Sequence, residues 1–315
     1  MSAVRVLAIS GGIGGAKLAL GLYRELPPDS LMVVCNTGDD FEHLGLTVSP
    51  DVDTVIYTLA GVANPETGWG RADETWSFMA ALERLGGETW FRLGDADLAT
   101  HVERTRRLAA GEKPLAICAH LCRRLGVRAS VVPMCDARVR TVVLSDAGAL
   151  GFQHYFVRLR CSPRVRGFEY RGAAAARLPD EIGAALAADD LEAVVVCPSN
   201  PFISIDPVLA VPGMRAALAA CRAPVVAVAP VIGARAVKGP TAKMMAELGL
   251  EVSARGVAEH YGDLLDGYVV DETDAPACRA LDTAVLAAPI LMHDESDKRA
   301  LARRVLDFAA ALTRR

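Results

Sequence analysis

The chain has 315 residues, 52% of them hydrophobic, and a formal charge of -4 from 34 basic and 38 acidic side chains. That length buries a sizeable core as one large domain or two smaller ones. The charge balance carries no nucleic-acid footprint, and the most apolar later stretch, residues 225–232, is far too short to span a bilayer.

Residues 4–9 read as a buried strand. They run into Ser10-Gly11-Gly12-Ile13-Gly14-Gly15-Ala16-Lys17, a glycine turn, and a helix over residues 15–25 that Leu26-Pro27-Pro28 stops. Such a turn either cradles an anion on backbone N–H groups or simply joins strand to helix. Its spacing fits neither the dinucleotide fingerprint nor the P-loop, where Ser or Thr would replace Leu18. Lys17 adds a charge at the site or is merely solvated.

A second strand over 31–35 ends in Asn36-Thr37-Gly38-Asp39-Asp40. This strand–helix–strand unit puts both polar loops at one sheet edge, where open α/β sheets bind ligands. Residues 51–130 change character. A polar, tryptophan-bearing stretch at 64–76 is followed by helical periodicity at 75–85, 98–109 and 114–125, predicting a mostly helical insertion.

Strands are expected again at 129–133 and 141–144, and a strand or short helix at 152–159. The five-residue apolar run 193–197 marks a central strand that ends in Pro198-Ser199-Asn200-Pro201. Helices at 182–188, 214–220 and 242–248, strands at 224–230, 268–270 and 290–292, and an amphipathic helix at 298–312 complete the pattern. The fold class is α/β: a Rossmann-like three-layer parallel sheet from residues 1–50 and 131–315, with the helical insertion between them.

Eight cysteines, several in apolar runs, read as small buried hydrophobes of a reducing cytoplasm. Cys118-Ala119-His120-Leu121-Cys122 lacks the second ligand pair a zinc site needs. Glycines break the first apolar stretch, so no signal peptide is expected. The arginine clusters at 104, 106 and 107 and at 123, 124 and 128 read more readily as solvated helix faces than as binding patches, with one of them left open to meet a phosphate.

The chemistry-bearing residues gather at strand ends: the glycine loop, Asn36 to Asp40, Cys135-Asp136 and Ser199-Asn200. Asp39, Asp40, Asp51, Asp53, Asp95 and Asp97 crowd the first hundred positions, a density that suits Mg²⁺ bridging carboxylates and phosphate oxygens. Asp95 and Asp97 either meet ligand or cap the helix that contains His101. Trp69 and Trp76 either stack on a planar ring or pack in the core. Thr241, after Lys238-Gly239-Pro240, caps a helix or meets a phosphate.

With these loops assembled, the chain resembles the 2-phospho-L-lactate transferase family of coenzyme F420 biosynthesis. The resemblance lies in residues 10–17, 36–40, 49–55 and 93–101, then Pro133-Met134-Cys135-Asp136, Pro198-Ser199-Asn200-Pro201, Lys238-Gly239-Pro240 and Gly256-Val257-Ala258-Glu259. It implies transfer of a phosphorylated three-carbon acid from a guanosine diphosphate-activated donor to the ribityl hydroxyl of the deazaflavin Fo, with GMP leaving. It further implies a Mg²⁺ cofactor, a homodimer and a partner guanylyltransferase that supplies the donor. By motif, Asp53 and Arg92 are expected to contact Fo, with Asp97, His101 and Trp69 nearby. Gly11, Gly12, Gly14, Gly15, Asn36, Asp136, Ser199 and Asn200 are expected on the nucleotide side, and Asp39, Asp40 and Asp53 as metal ligands. Asp53 and Lys17 are the candidate catalytic groups. Family members commonly carry Pro-Met-Ser-Asp-Asp or Pro-Met-Ser-Asp-Glu where this chain has Pro133-Met134-Cys135-Asp136-Ala137, which puts the identity of the acid in question. Two alternatives stand beside this reading: an NAD(P)-dependent oxidoreductase, and a non-catalytic nucleotide-binding regulator of the same fold.

Overall fold

The computed structural model describes residues 4–27, 29–233, 235–237 and 239–312. Pro28 of the expected helix stop and Lys238 of the Lys-Gly-Pro motif lie outside them.

The chain opens with β1 (Val6–Ser10), α1 (Gly12–Glu25) and β2 (Leu31–Cys35), then a hairpin of β3 (Phe41–His43) and β4 (Leu46–Val48). Helices α2 (Pro50–Ala60), α3 (Ser77–Arg84), α4 (Asp95–Ala109) and α5 (Pro114–Arg124) lead to β5 (Ser130–Pro133). A separate antiparallel sheet follows, made of β6 (Arg140–Ser145), β7 (Gly148–Gly151) and β8 (Val165–Arg171). The chain then runs through α6 (Asp180–Ala187) and β9 (Ala193–Val196), and a π-helical turn, Pro201–Ile205, passes into α7 (Asp206–Leu209). The last part comprises α8 (Met214–Ala220), β10 (Val225–Val228), the short pair β11 (Val231–Ile232) and β12 (Arg235–Ala236), α9 (Thr241–Glu247), α10 (Ala254–Tyr261), β13 (Gly267–Val270), α11 (Ala275–Cys278), β14 (Ala284–Ala287) and α12 (Glu295–Ala311).

The main sheet has seven strands in the order β14-β13-β10-β9-β1-β2-β5, all paired in parallel. Every residue of β1, β2, β9, β10 and β13 is buried. Near-continuous Val, Leu and Ile runs produce this, because helices cover both faces of a parallel sheet and leave no face for polar alternation. Each such side chain removed from water contributes about 1.5–3 kcal/mol before chain entropy is set against it. Val52, Val55, Ile56 and Leu59 of α2 join the same core.

From β1 the chain steps outward through β2 to β5, then returns to β9 on the other side of β1. The direction of winding therefore reverses between β1 and β9. That places the crevice of an open α/β sheet at the carboxyl ends of these two strands.

One expectation changes, one open choice is resolved and one strand was not foreseen. The edge strand is Ala284–Ala287, and residues 290–292 are irregular. Ile290 and Met292 are nonetheless buried, and Lys17 Nζ, rather than a neighbouring strand, serves the Met292 carbonyl at 2.7 Å. Within 152–159 a π-helical turn, His154–Arg158, forms. The sequence reading missed β8, where Arg166, Glu169 and Arg171 on exposed or half-buried positions obscure the apolar alternation. Among the described residues no single helix is long and apolar enough to cross a membrane.

Candidate functional site at the strand ends

Three loops meet at the switch point. Gly11 N–H donates to Ser199 Oγ at 3.2 Å, and the Ser199 hydroxyl donates back to the Gly11 carbonyl at 2.7 Å. This clamps the loop after β1 to the loop after β9. Gly12 N–H, at the start of α1, donates to Asp51 Oδ1 at 2.8 Å. Asn36 Nδ2 donates to Asp51 Oδ2 at 2.8 Å and to the Ile203 carbonyl at 3.0 Å, while Asn36 Oδ1 accepts from Gly38 N–H at 2.7 Å. Asp51 thus occupies the position at a helix N-terminus that favours an anion. Glycine is required for this closeness. A Cβ on Gly14 would lie 2.4 Å from the Pro198 carbonyl oxygen, and one on Gly15 would lie 2.5 Å from Ser199 Oγ.

Carboxylates crowd this network. Asp39, Asp40, Asp51 and Asp53 are all buried or nearly so. Burial pushes Asp40 up to about 7, against the pull of Arg140 and Arg104. Burial likewise pushes Asp51 up to about 6, although Asn36 and Gly12 donate to it. Asp39 is raised by burial and by the charge of Asp51. Among the described residues, Ser10 Oγ, Asp39 Oδ1 and Asp40 Oδ1 are buried without a hydrogen-bond partner. Unmet polar atoms gathered in one place mark a site rather than a packing defect.

Beside it lies a second network. Arg104 Nη1 donates to Asp53 Oδ2 at 3.0 Å, and Nη2 to Asp53 Oδ1. His101 Nδ1 stands 3.2 Å from Arg104 Nη1, and His101 Nε2 stands 3.4 Å from Asp97 Oδ1. The Tyr57 hydroxyl donates to Asp97 Oδ1 at 2.8 Å. Burial raises Asp97, but the hydrogen bond and charge of His101 outweigh it, and the carboxyl is held below its ordinary value.

Arg104, read from sequence as part of a solvated face, is only 4% exposed. The sign it left was spacing: Thr100, His101 and Arg104 share one buried stripe of a helix that is otherwise polar. The acidic caps are also exchanged between helices. Asp95 accepts from Ser77 and Phe78 N–H at 3.1 Å and so caps α3, whereas Glu74 accepts from Ala96 and Asp97 N–H at 2.8 Å and caps α4.

Other expected residues lie apart from these networks. Lys17 turns to the Met292 carbonyl. Arg92 lies over the Trp76 ring, 4.2 Å from its centroid. Trp69 is 48% exposed on the loop before α3. Asp136 is exposed and pairs with Lys113 at 3.7 Å. Asn200 caps the π-helical turn by accepting from Phe202 N–H at 3.0 Å. Thr241 is buried at the start of α9. Sequence reasoning missed an aromatic cluster in which Trp90 stacks on His154 at 4.7 Å and Phe41 meets Phe91 edge-on at 4.7 Å.

A cavity of about 230 Å³ opens next to the carboxylates, between the β3–β4 hairpin, α4, α5 and the loop after β5. Thr37, Asp40, Arg104, Cys135, Ala137 and Arg140 are among its lining residues.

Fold and site together define a Rossmann-like α/β protein whose chemistry-bearing side chains converge where the strand order reverses. Residues 6–308 match the family model described as 2-phospho-L-lactate transferase CofD, and the chain belongs to that family. It is 41% identical over 315 residues to a phosphoenolpyruvate transferase of Streptomyces griseus subsp. griseus, covering 97% of this chain and 98% of the relative. It is 42% identical over 326 residues to one of Thermobifida fusca, covering 99% and 100%, and 37% identical over 329 residues to one of Mycobacterium marinum, covering 97% and 99%. Among solved structures, a upf0052 family member from Bacillus halodurans aligns with a TM-score of 0.63 over 97% of this chain and 99% of that one, at 14% identity, a likeness of fold alone. Membership of this transferase family makes the chain an enzyme of phosphotransferase type.

Proposed function

We propose that the chain transfers a phosphorylated three-carbon acid moiety from its guanosine diphosphate-activated donor to the ribityl hydroxyl of the deazaflavin Fo, with release of GMP. The observation that carries this reading is the knitting of three strand-end loops through Gly11–Ser199, Gly12–Asp51 and Asn36–Asp51 at the switch point. The family match and the phosphoenolpyruvate transferase relatives support it.

Attack on a diphosphate demands stabilisation of charge on its non-bridging oxygens and on the leaving nucleotide. The Gly12 N–H, held by Asp51 in the free protein, passes to a donor phosphate. Asp53 accepts from Arg104 on both oxygens, which supports a role as an orienting acceptor for the Fo hydroxyl.

The residues fit a magnesium ion held through the substrate. Among the described residues no group of three or more His, Cys, Asp or Glu is arranged to hold a metal. Mg²⁺, however, is usually held by one or two carboxylates plus phosphate oxygens and waters. Asp39 and Asp40, each with a buried oxygen lacking a partner, would be that pair. Asp53, committed to Arg104, would not. When bound, the ion neutralises phosphate charge.

The test supplies the protein with Fo, Mg²⁺, GTP, a guanylyltransferase and each of phosphoenolpyruvate, 2-phospholactate and 3-phosphoglycerate in turn. Products are weighed by mass spectrometry. One acid yields an Fo adduct heavier by the phosphorylated acid; no adduct with any acid refutes the reading.

A further inference from the structure

The cavity beside the carboxylates contains a guanidinium that, among the described residues, forms no ion pair. Arg104, Arg138 and Arg140 all line it. Arg104 is committed to Asp53, and Arg138 to Glu42 at 2.9 Å. Arg140 Nη1 donates to the Val139 carbonyl at 2.7 Å, and among the described residues Arg140 forms no ion pair. It is half-buried, and burial pulls its pKa down against the opposing charges of Asp40 and Glu42. A guanidinium presents five N–H donors in a planar fork that matches a carboxylate, so most of its capacity is unspent.

The shape of the cavity limits what enters. At about 230 Å³ it lies below the roughly 300–1,000 Å³ of sites that enclose drug-sized ligands. It has room for a small acid. Next to Arg140 the wall is made by Cys135 and Ala137, and the Cys135 thiol is turned to the Ala137 carbonyl at 3.4 Å. Neither side chain carries a charge; of the carboxylates that line the cavity, Glu42 pairs with Arg138 and Asp136 with Lys113, which leaves Asp40 as the one that competes for the guanidinium.

Its position links it to the switch point. Thr37 lines the cavity and directly follows Asn36 of the Asp51 network. Thr141 N–H donates to the Gly38 carbonyl at 2.7 Å, which ties the strand carrying Arg140 to the same loop. The cavity therefore adjoins the loop that would hold the donor's phosphates in the reading above.

We propose that this cavity seats the carboxylate of the transferred acid and that Arg140 is the residue that reads it, with Cys135 and Ala137 setting the room left for the acid's carbon skeleton. The inference rests on the guanosine-donor reading above and adds a residue for the acid end.

Calorimetry without Fo tests it, with three probes: GDP, GDP-linked lactate, and the carboxamide of that lactate donor. Wild type is expected to bind the acid donor about 10–100-fold more tightly than the carboxamide, the range of a charge-assisted hydrogen-bonded pair. Arg140→Gln is expected to erase that preference while GDP affinity stays within about twofold, a result that also shows the variant folded. Arg140→Lys is expected to retain part of the preference, since a lysine supplies the charge without the fork. Equal wild-type affinity for acid and carboxamide overturns the inference, as does an Arg140→Gln variant that keeps the preference. So does one that weakens GDP as much as the acid donor, which would assign Arg140 to phosphate. If Arg140→Gln does not fold, the wild-type comparison of acid with carboxamide decides. Wild type that binds no guanosine ligand overturns the broader reading, and this inference with it.

Discussion

Arg104 grips both carboxylate oxygens of Asp53 across 51 residues of chain, joining α4 to α2. Both side chains are buried, and His101 lies against the pair, 3.7 Å from Asp53 Oδ2. The two-point grip fixes the carboxylate's direction.

Breaking that pair leaves a buried charge without a partner. Arg104→Met is expected to lower stability by about 3–5 kcal/mol at pH 7, and Arg104→Lys by less. Asp53→Leu combined with Arg104→Met should recover much of the loss, because neither charge then remains buried. Denaturant unfolding of the four proteins checks this. An Arg104→Met variant as stable as wild type contradicts it.

Gly14 bears on binding rather than on turn geometry. The Cβ of Gly14→Ala would meet the Pro198 carbonyl oxygen at 2.4 Å, so either α1 or the loop after β9 must shift. Overpacking of this kind costs about 1–3 kcal/mol. The shift also separates Gly11 from Ser199. GDP affinity is expected to fall at least about tenfold, more than the stability loss alone accounts for, and calorimetry beside thermal unfolding separates the two. Unchanged GDP affinity contradicts the clamp.

The carboxylate cluster gives a pH dependence of definite sign. Asp40 at about 7 and Asp51 at about 6 keep protons in the folded state over a range where unfolded aspartates, with a pKa of about 3.9, release them. The contribution of these groups is therefore most favourable below about pH 4 and falls as pH rises towards 7. In chelator, Asp40→Asn is expected to flatten this decline. With GDP present, Mg²⁺ competes with the same protons, so the rise in melting temperature it adds should be larger at pH 8 than at pH 6. Equal Mg²⁺ effects at the two values contradict the assignment of Asp39 and Asp40 as its holders.

What the sequence revealed follows from which forces are local. Residues 31–35 and 214–220 match the observed elements, and 193–197 marks the central strand to within a residue, because apolar runs and helical periods are local signals. The meeting of Gly11, Asn36 and Ser199 was legible because each follows a strand of a parallel sheet. Arg104 was not, since an arginine on a polar helix looks solvated until a carboxylate from another helix reaches it. The exchange of caps between Asp95 and Glu74 was hidden for a similar reason: a cap is assigned by the path of the loop between 74 and 95, which composition does not encode. Ile290 and Met292 alternate like a strand yet pack as an irregular segment, because burial alone does not require ladder pairing.

The most direct measurement is a stoichiometry. Purified protein is mixed with an isolated donor in which the terminal phosphate of GDP is esterified to the three-carbon acid, together with Fo and Mg²⁺, and GMP and the Fo adduct are quantified over time. The expected result is one GMP released for each Fo consumed, with no GMP formed when Fo is withheld. GMP released at the same rate without Fo, or Fo left unmodified while donor disappears, contradicts the proposed transfer.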